Sequence, residues 1–334
     1  MKRLLNPILL ALVALLVLAI LPVFVRSFFA LSIFILIFFY TALTAAWNIP
    51  VFGGKLSLGH AAFFGLGAYT AAILYVDYGI IPWIGVFAAT AVSLLGAVVL
   101  TPALVLLRGP FFTLASLAFA EVLRLVAIYW TGLTGGSVGI NIPFEPGWQN
   151  LTFQSNVPFY YISLAFAAVS VGIAYMIYKR AFGYHLRAAA SDEEAAQALG
   201  INTTRAHVVA LLWSAGIAGM LGAFYAFYLY TIEPNTFFSL QLFSLQPALN
   251  GIIGGMGTIW GPVVGSALMT PLAEFLRIYL GTVQQGLNFL IYGLILILIV
   301  QTIPGGIVSV LSRLFRRLGF RSEDETPPKG GNDQ

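Results

Sequence analysis

Between Lys179 and His207 the chain gathers the groups that could work in water, reading KRAFGYHLRAAASDEEAAQALGINTTRAH. Ser191, Asp192, Glu193, Glu194, Ala195 and Ala196 stand there together, and Gly200 follows. Ser191-x-x-Glu194 has the spacing of a capping box, in which the serine hydroxyl accepts from the Glu194 amide and the Glu194 carboxylate reaches back to the serine amide. That spacing predicts a helix from Asp192, with three carboxylates at the positive end of its dipole and Gly200 as the left-handed residue that closes it. Such a helix is either an ordinary loop element or a purchase for a rigid-body push by a soluble motor.

The other chemistry-bearing residues are scattered. Glu121 and Arg124 lie three apart inside an apolar run, and Glu274 and Arg277 repeat the arrangement. Charges at such depth are costly, so each pair is expected to neutralise itself, face the interior and border any path. His60 has no histidine near it in sequence and reads more simply as a structural group than as a proton carrier. Ser57, Ala61, Gly65, Ala68 and Ala72 form a small-residue stripe, and Gly257, Gly261 and Gly265 form a second one broken by Pro262. Both predict close helix packing, with sliding or gating as the sharper reading.

The elements that must carry these residues follow from composition. The 334 residues are 60% hydrophobic and 8% charged, against about 25% charged in a soluble domain, which defines an all-α polytopic membrane protein. Net charge is only +4 and the basic residues are spread over segment ends, so there is no nucleic-acid footprint. With no cysteine, thiolate and disulfide chemistry is excluded. There is no GxxxxGK[ST], no HExxH, no GxSxG and no metal-ligand cluster, which argues against an enzyme and against a nucleotide, metal or other cofactor site in this chain.

Apolar runs at 7–25, 28–48, 57–76, 83–107, 110–130, 159–178, 208–230, 244–258, 260–280 and 286–303 predict ten crossings. The runs at 57–76 and 244–258 are short or glycine-rich and could be half-helices. Lys and Arg gather at the N-terminus, at Lys55, Arg108 and 179–207, and near the C-terminus, whereas 131–158 and 231–243 have none. The positive-inside rule therefore places both termini and the 179–207 loop in the cytoplasm, leaving Arg26 as an exception. The first run, long enough to span and without a cleavage site, reads as a retained helix. Residues 1–304 form the membrane domain, 305–321 an amphipathic surface helix, and 322–334 a solvated tail.

Four blocks in order carry a family resemblance: GGKLSLGHAAFFGLGAYTAAIL (53–74), LRGPFFTLASLAFAEVLRL (107–125), SDEEAAQALGINTTRAHVVALLWSAGIAGMLGAFYA (191–226) and NGIIGGMGTIWGPVVGSAL (250–268). Over about 30–305 the chain resembles the longer permease subunit of branched-chain amino-acid ABC importers. The resemblance implies a type II importer-like bundle of about ten helices in a prokaryotic inner membrane, paired with a second, shorter permease subunit. It also implies two cytoplasmic ATPase subunits that bind the ATP, and an extracytoplasmic solute-binding protein. Carried over residue by residue, Glu194, Ala195, Ala196 and Gly200 match the ATPase-contacting motif. Val138 departs from the acidic or polar residue of many relatives, and related permeases carry urea, amides or aromatic amino acids. The rival reading is an ion-coupled secondary transporter working through Glu121, Glu274 or His60.

Overall fold

The computed structural model describes residues 7–25, 27–107, 109–280, 293–294, 297, 301–302 and 305–317, with side chains left out at 7–12, 279–280, 311–312 and 314–317. Its architecture is helical throughout: α1 (Pro7–Phe24), α2 (Phe28–Val51), α3 (His60–Val76), α4 (Pro82–Leu106), α5 (Pro110–Tyr129), α6 (Thr131–Thr134), α7 (Asn156–Lys179), α8 (Ala181–Ser191), α9 (Glu193–Ala198), α10 (Thr203–Leu229), α11 (Pro234–Phe237), α12 (Gln246–Gly255), α13 (Gly261–Leu280) and α14 (Gly306–Arg317). Two-residue strands β1 (Ile140–Asn141) and β2 (Thr231–Ile232) pair antiparallel, Ile140 opposite Ile232, and tie the long connection after α6 to the end of α10.

The helix starts follow local chemistry. Ser27 caps α2 by accepting from the Ala30 amide, and prolines open α4 and α5, where a missing N–H costs nothing. Hydrophobic residues all round a helix predict burial on every side, and the second half of α2 meets that rule: each residue from Phe38 through Val51 is buried, the helix packing against α7, α10, α12 and α13. α3, α4 and α10 pack on one another, with α10 joining them to α2, while α5 leaves Phe111, Leu114 and Val122 exposed.

Without a hydrophobic drive between helices in lipid, close backbone approach sets the crossings. α3 and α10 meet where Gly67 lies against the Gly219 carbonyl and Gly222 against that of Phe64. α12 and α13 meet where Gly254 faces Gly261 and Gly265 faces the Asn250 carbonyl. Between α2, α3 and α10 the rings of Phe39 and Tyr225 stack at 4.6 Å, and those of Phe64 and Phe243 at 3.8 Å.

Five helices are long and apolar enough to cross a membrane among the described residues: Phe28–Val51, Pro82–Leu106, Pro110–Tyr129, Asn156–Lys179 and Thr203–Leu229. α3 has 17 residues, about 25 Å, and α12 only 10, extended at its start by a π turn at Gln241–Leu245. Each is shorter than the roughly 30 Å hydrocarbon layer. The run expected at 286–303 lies mostly outside the described residues, as do Arg26, Arg108 and the tail 322–334.

Candidate functional site

The segment after α2 and the α8–α9 segment after α7 come together, Gly53 against Leu186 and Lys55 beside Glu193. α7 ends at Lys179, and Gly183 lets α8 fold back against the Ile177 and Tyr178 carbonyls. Arg187 fixes that fold, its guanidinium 4.0 Å from the Tyr178 ring centre and its Nη1 donating to the Tyr178 carbonyl at 2.9 Å. Leu186 is fully buried, wedged against Gly53.

α9 is a six-residue helix with caps at both ends. The cap is not the Ser191–Glu194 box: Asp192 sits in the extended cap conformation and its carboxylate accepts from the Ala195 amide at 3.0 Å. Ser191 instead ends α8, its hydroxyl donating to the Arg187 carbonyl four residues back. The serine is thus already helical, which leaves the cap role to the next residue and moves the helix start to Glu193. At the other end Gly200 has φ +85°, Ile201 N–H donates to Ala196 C=O at 3.0 Å and Gly200 N–H to Gln197 C=O at 2.9 Å. That pair of bonds is a Schellman motif. Ala196 is the buried face of α9, leaving Glu194, Ala195, Ala198 and Leu199 toward solvent. Leu199, 83% exposed, escaped the sequence reading; the signal was a large apolar side chain inside a polar stretch.

The segment after α2 backs this lever. Gly54, at φ +75°, rests on Ala190, and Lys55 Nζ lies 3.7 Å from Glu193 Oε2. Between them opens a groove of about 350 Å³ lined by Gly53, Lys55, Gly109, Asp192, Glu194 and Gln197 among others. Asn202 caps α10 and Gln197 Nε2 donates to Thr203 Oγ1 at 2.7 Å, so α9 is fastened to the next long helix.

Farther in, the start of α3 is buried and has no side-chain cap of its own. Its donors are met by serines from elsewhere: Leu58 N–H by Ser116 of α5 and Ala61 N–H by Ser244 of the π turn, both at 2.9 Å. His60 is fully buried, its Nε2 2.6 Å from Ser214 Oγ of α10. Ser57 precedes α3 and is not part of its face; its carbonyl accepts from Trp47 Nε1 at 2.9 Å.

Three further expectations change. Gly65 makes room for the Phe238 ring, and the glycine of α3 that meets a helix backbone is Gly67. Gly257, at φ +73°, belongs to the turn before α13 with nothing within 4 Å of its added Cβ, so only Gly261 and Gly265 of that stripe pack, and Pro262 lies in the first turn of α13 without breaking it. The ion pairs do not point inward within this chain: Glu121 side chain is 47% exposed and Arg277 69%. Arg124 holds Glu121 and also donates to Asn235 Oδ1, whereas Glu274 is the covered member of its pair. Each pair neutralises itself in place through its i,i+3 spacing.

A helical bundle of this apolarity, with its broken helices held by buried hydroxyls, is a multi-pass membrane protein. A family model described as the permease component of branched-chain amino acid transport systems matches residues 29–300, and the chain belongs to that family. It is 29% identical over 296 residues to the high-affinity branched-chain amino acid transport system permease protein LivM of Salmonella typhimurium, covering 80% of this chain and 68% of that one. LivM of Escherichia coli gives the same identity and coverage. A more distant relative, the ribose import permease protein RbsC of Bacillus subtilis, is 27% identical over 186 residues, 54% of this chain and 52% of its own. No solved structure matches the chain. It is a transport subunit of the permease class.

Proposed function

We propose that this chain is the longer permease subunit of an ATP-driven importer of branched-chain amino acids, lining one side of a path completed by a second, shorter permease. ATP is bound and hydrolysed by two separate cytoplasmic ATPase subunits, and α9 receives their movement through Glu194, Ala195, Ala196 and Gly200. An extracytoplasmic solute-binding protein delivers the substrate at the 131–158 loop, where Val138 and Trp148 are exposed. Both termini lie in the cytoplasm of a prokaryotic inner membrane. The single observation that carries the reading is α9 itself: capped at both ends, presenting a solvent face with Glu194 and Leu199, and braced against the segment after α2.

Electrostatics and packing supply the mechanism. A short helix with its peptide groups satisfied at both termini transmits a push as a rigid body. Closure of the ATPase pair displaces α9, the bracing segment follows, and the glycine-lined crossings of α3 with α10 and α12 with α13 let helices rotate without unpacking. No covalent chemistry occurs in this subunit. Specificity rests mainly with the soluble receptor, so urea, amides and aromatic amino acids are the competing substrates.

The test uses the complete assembly in proteoliposomes. Glu194→Ala and Gly200→Pro are expected to weaken ATPase association and abolish substrate-stimulated hydrolysis; unchanged association and stimulation in both would remove α9 as the docking element. Uptake by this chain alone under an ion gradient would favour a secondary transporter. Competition by leucine, isoleucine and valine, but not urea, fixes the substrate class.

A further inference from the structure

Two consecutive residues near the end of α2 hold two non-helical segments at once. Trp47 donates from Nε1 to the Ser57 carbonyl, and its ring occupies the space left by Gly251 on α12. Asn48, fully buried, spends both ends of its amide on the turn between α12 and α13: Oδ1 accepts from Gly257 N–H at 2.8 Å and Nδ2 donates to the Thr258 carbonyl at 2.7 Å. That turn depends on glycine, with Gly255 at φ +126° and Gly257 at φ +73°, and Thr258 closes it by donating to Gly255 C=O at 2.7 Å. α14 begins on the same spot, Gly306 lying directly on Gly255.

A fully buried amide is satisfied only while the turn is seated in this one register, so Asn48 favours a single arrangement of α2, turn and α14. At the other side, the chain leaves α2 through tight bonds, Gly53 and Lys55 N–H both donating to Pro50 C=O, and reaches α9 through Lys55 and Glu193. We propose that Asn48 is a positioning residue: it locks the α12–α13 turn to the end of α2, so that a displacement arriving at α9 is delivered to α13. The inference rests on the reading of α9 given above.

The experiment compares wild type, Asn48→Leu and Asn48→Asp in the full assembly, measuring uptake and ATP hydrolysis in the same vesicles. Asn48→Leu removes both bonds; it is expected to keep substrate-stimulated hydrolysis within about twofold of wild type while uptake falls about tenfold, so that more ATP is consumed per solute. Asn48→Asp retains the acceptor for Gly257 and loses the donor to Thr258, and should fall between. Hydrolysis and uptake declining in the same proportion, or neither declining, would overturn the proposal. A second readout uses the absence of native cysteine. Thr44→Cys on α2 and Ser266→Cys on α13, whose hydroxyl oxygens lie 3.3 Å apart, should form a disulfide equally well in nucleotide-free and ATP-trapped assemblies. Adding Asn48→Leu should lower the yield only in the trapped state; equal yields in both states refute the lock, whatever the variant's rate of transport. Wild-type hydrolysis that ignores substrate would instead be a failure of the α9 reading, not of the lock.

Discussion

Asp192→Ala removes the one side chain that caps α9, and the consequence can be worked out from the geometry. The substitution leaves the Ala195 amide without its 3.0 Å acceptor at the start of a helix only six residues long. Loss of an N-cap carboxylate costs about 1 kcal/mol, within a range of roughly 0.5–2. A helix this short has no cooperative reserve, because nucleation is unfavourable and few propagating bonds offset it. About 1 kcal/mol therefore appears nearly in full as a roughly fivefold rise in the open fraction of α9. Gly200→Ala attacks the other end: an L side chain at φ +85° costs about 1–2 kcal/mol, or roughly five- to thirtyfold. Hydrogen exchange resolved to single amides reads both effects, at Ala195 and Ala196 for the first and at Gly200 and Ile201 for the second. Ser191→Ala is the control, since its hydroxyl bonds backward to Arg187 and contributes nothing to α9. If Ser191→Ala accelerated exchange in α9 as much as Asp192→Ala does, the assignment of the cap to Asp192 would be wrong.

Gly67→Val should destabilise by about 1–3 kcal/mol or more, because the added carbons collide with the Gly219 carbonyl of α10 and backbone cannot step aside. Thermal unfolding in detergent checks it, with Gly172→Ala, which sits inside α7 and meets open space, expected to stabilise by up to about 1 kcal/mol instead. A double-mutant cycle on Lys55→Ala and Glu193→Ala should give a coupling of about 0.2–1 kcal/mol that shrinks as salt rises, since Glu193 is 36% exposed. A salt-independent coupling above about 2 kcal/mol would mean the pair is desolvated in the assembly.

Much of the fold was legible because lipid imposes length. The runs at 28–48, 83–107, 110–130, 159–178 and 208–230 each correspond to a helix long and apolar enough to cross, with ends displaced by a few residues. The doubtful runs were doubtful for a physical reason: α3 and α12 are short, and their missing turns are replaced by serine hydroxyls and an asparagine from elsewhere. Partners that distant in sequence leave no local trace, so nothing in the sequence marks Ser116, Ser244 or Asn48 for this role. Gly200 was readable, as a stop residue has a conformational signature of its own. The cap at the opposite end of α9 falls one residue later than the spacing suggests, because Ser191 and Asp192 are both good cap residues and only the extent of α8 decides between them. Gly65 and Gly67 were confused for a similar reason, since spacing alone does not say which face of α3 meets α10.

The stacked rings of Phe39, Tyr225, Phe64 and Phe243 have an outcome for traffic. They fill the space between α2, α3 and α10 with flat carbon. While that stack stands, nothing as large as an amino acid slips between those three helices.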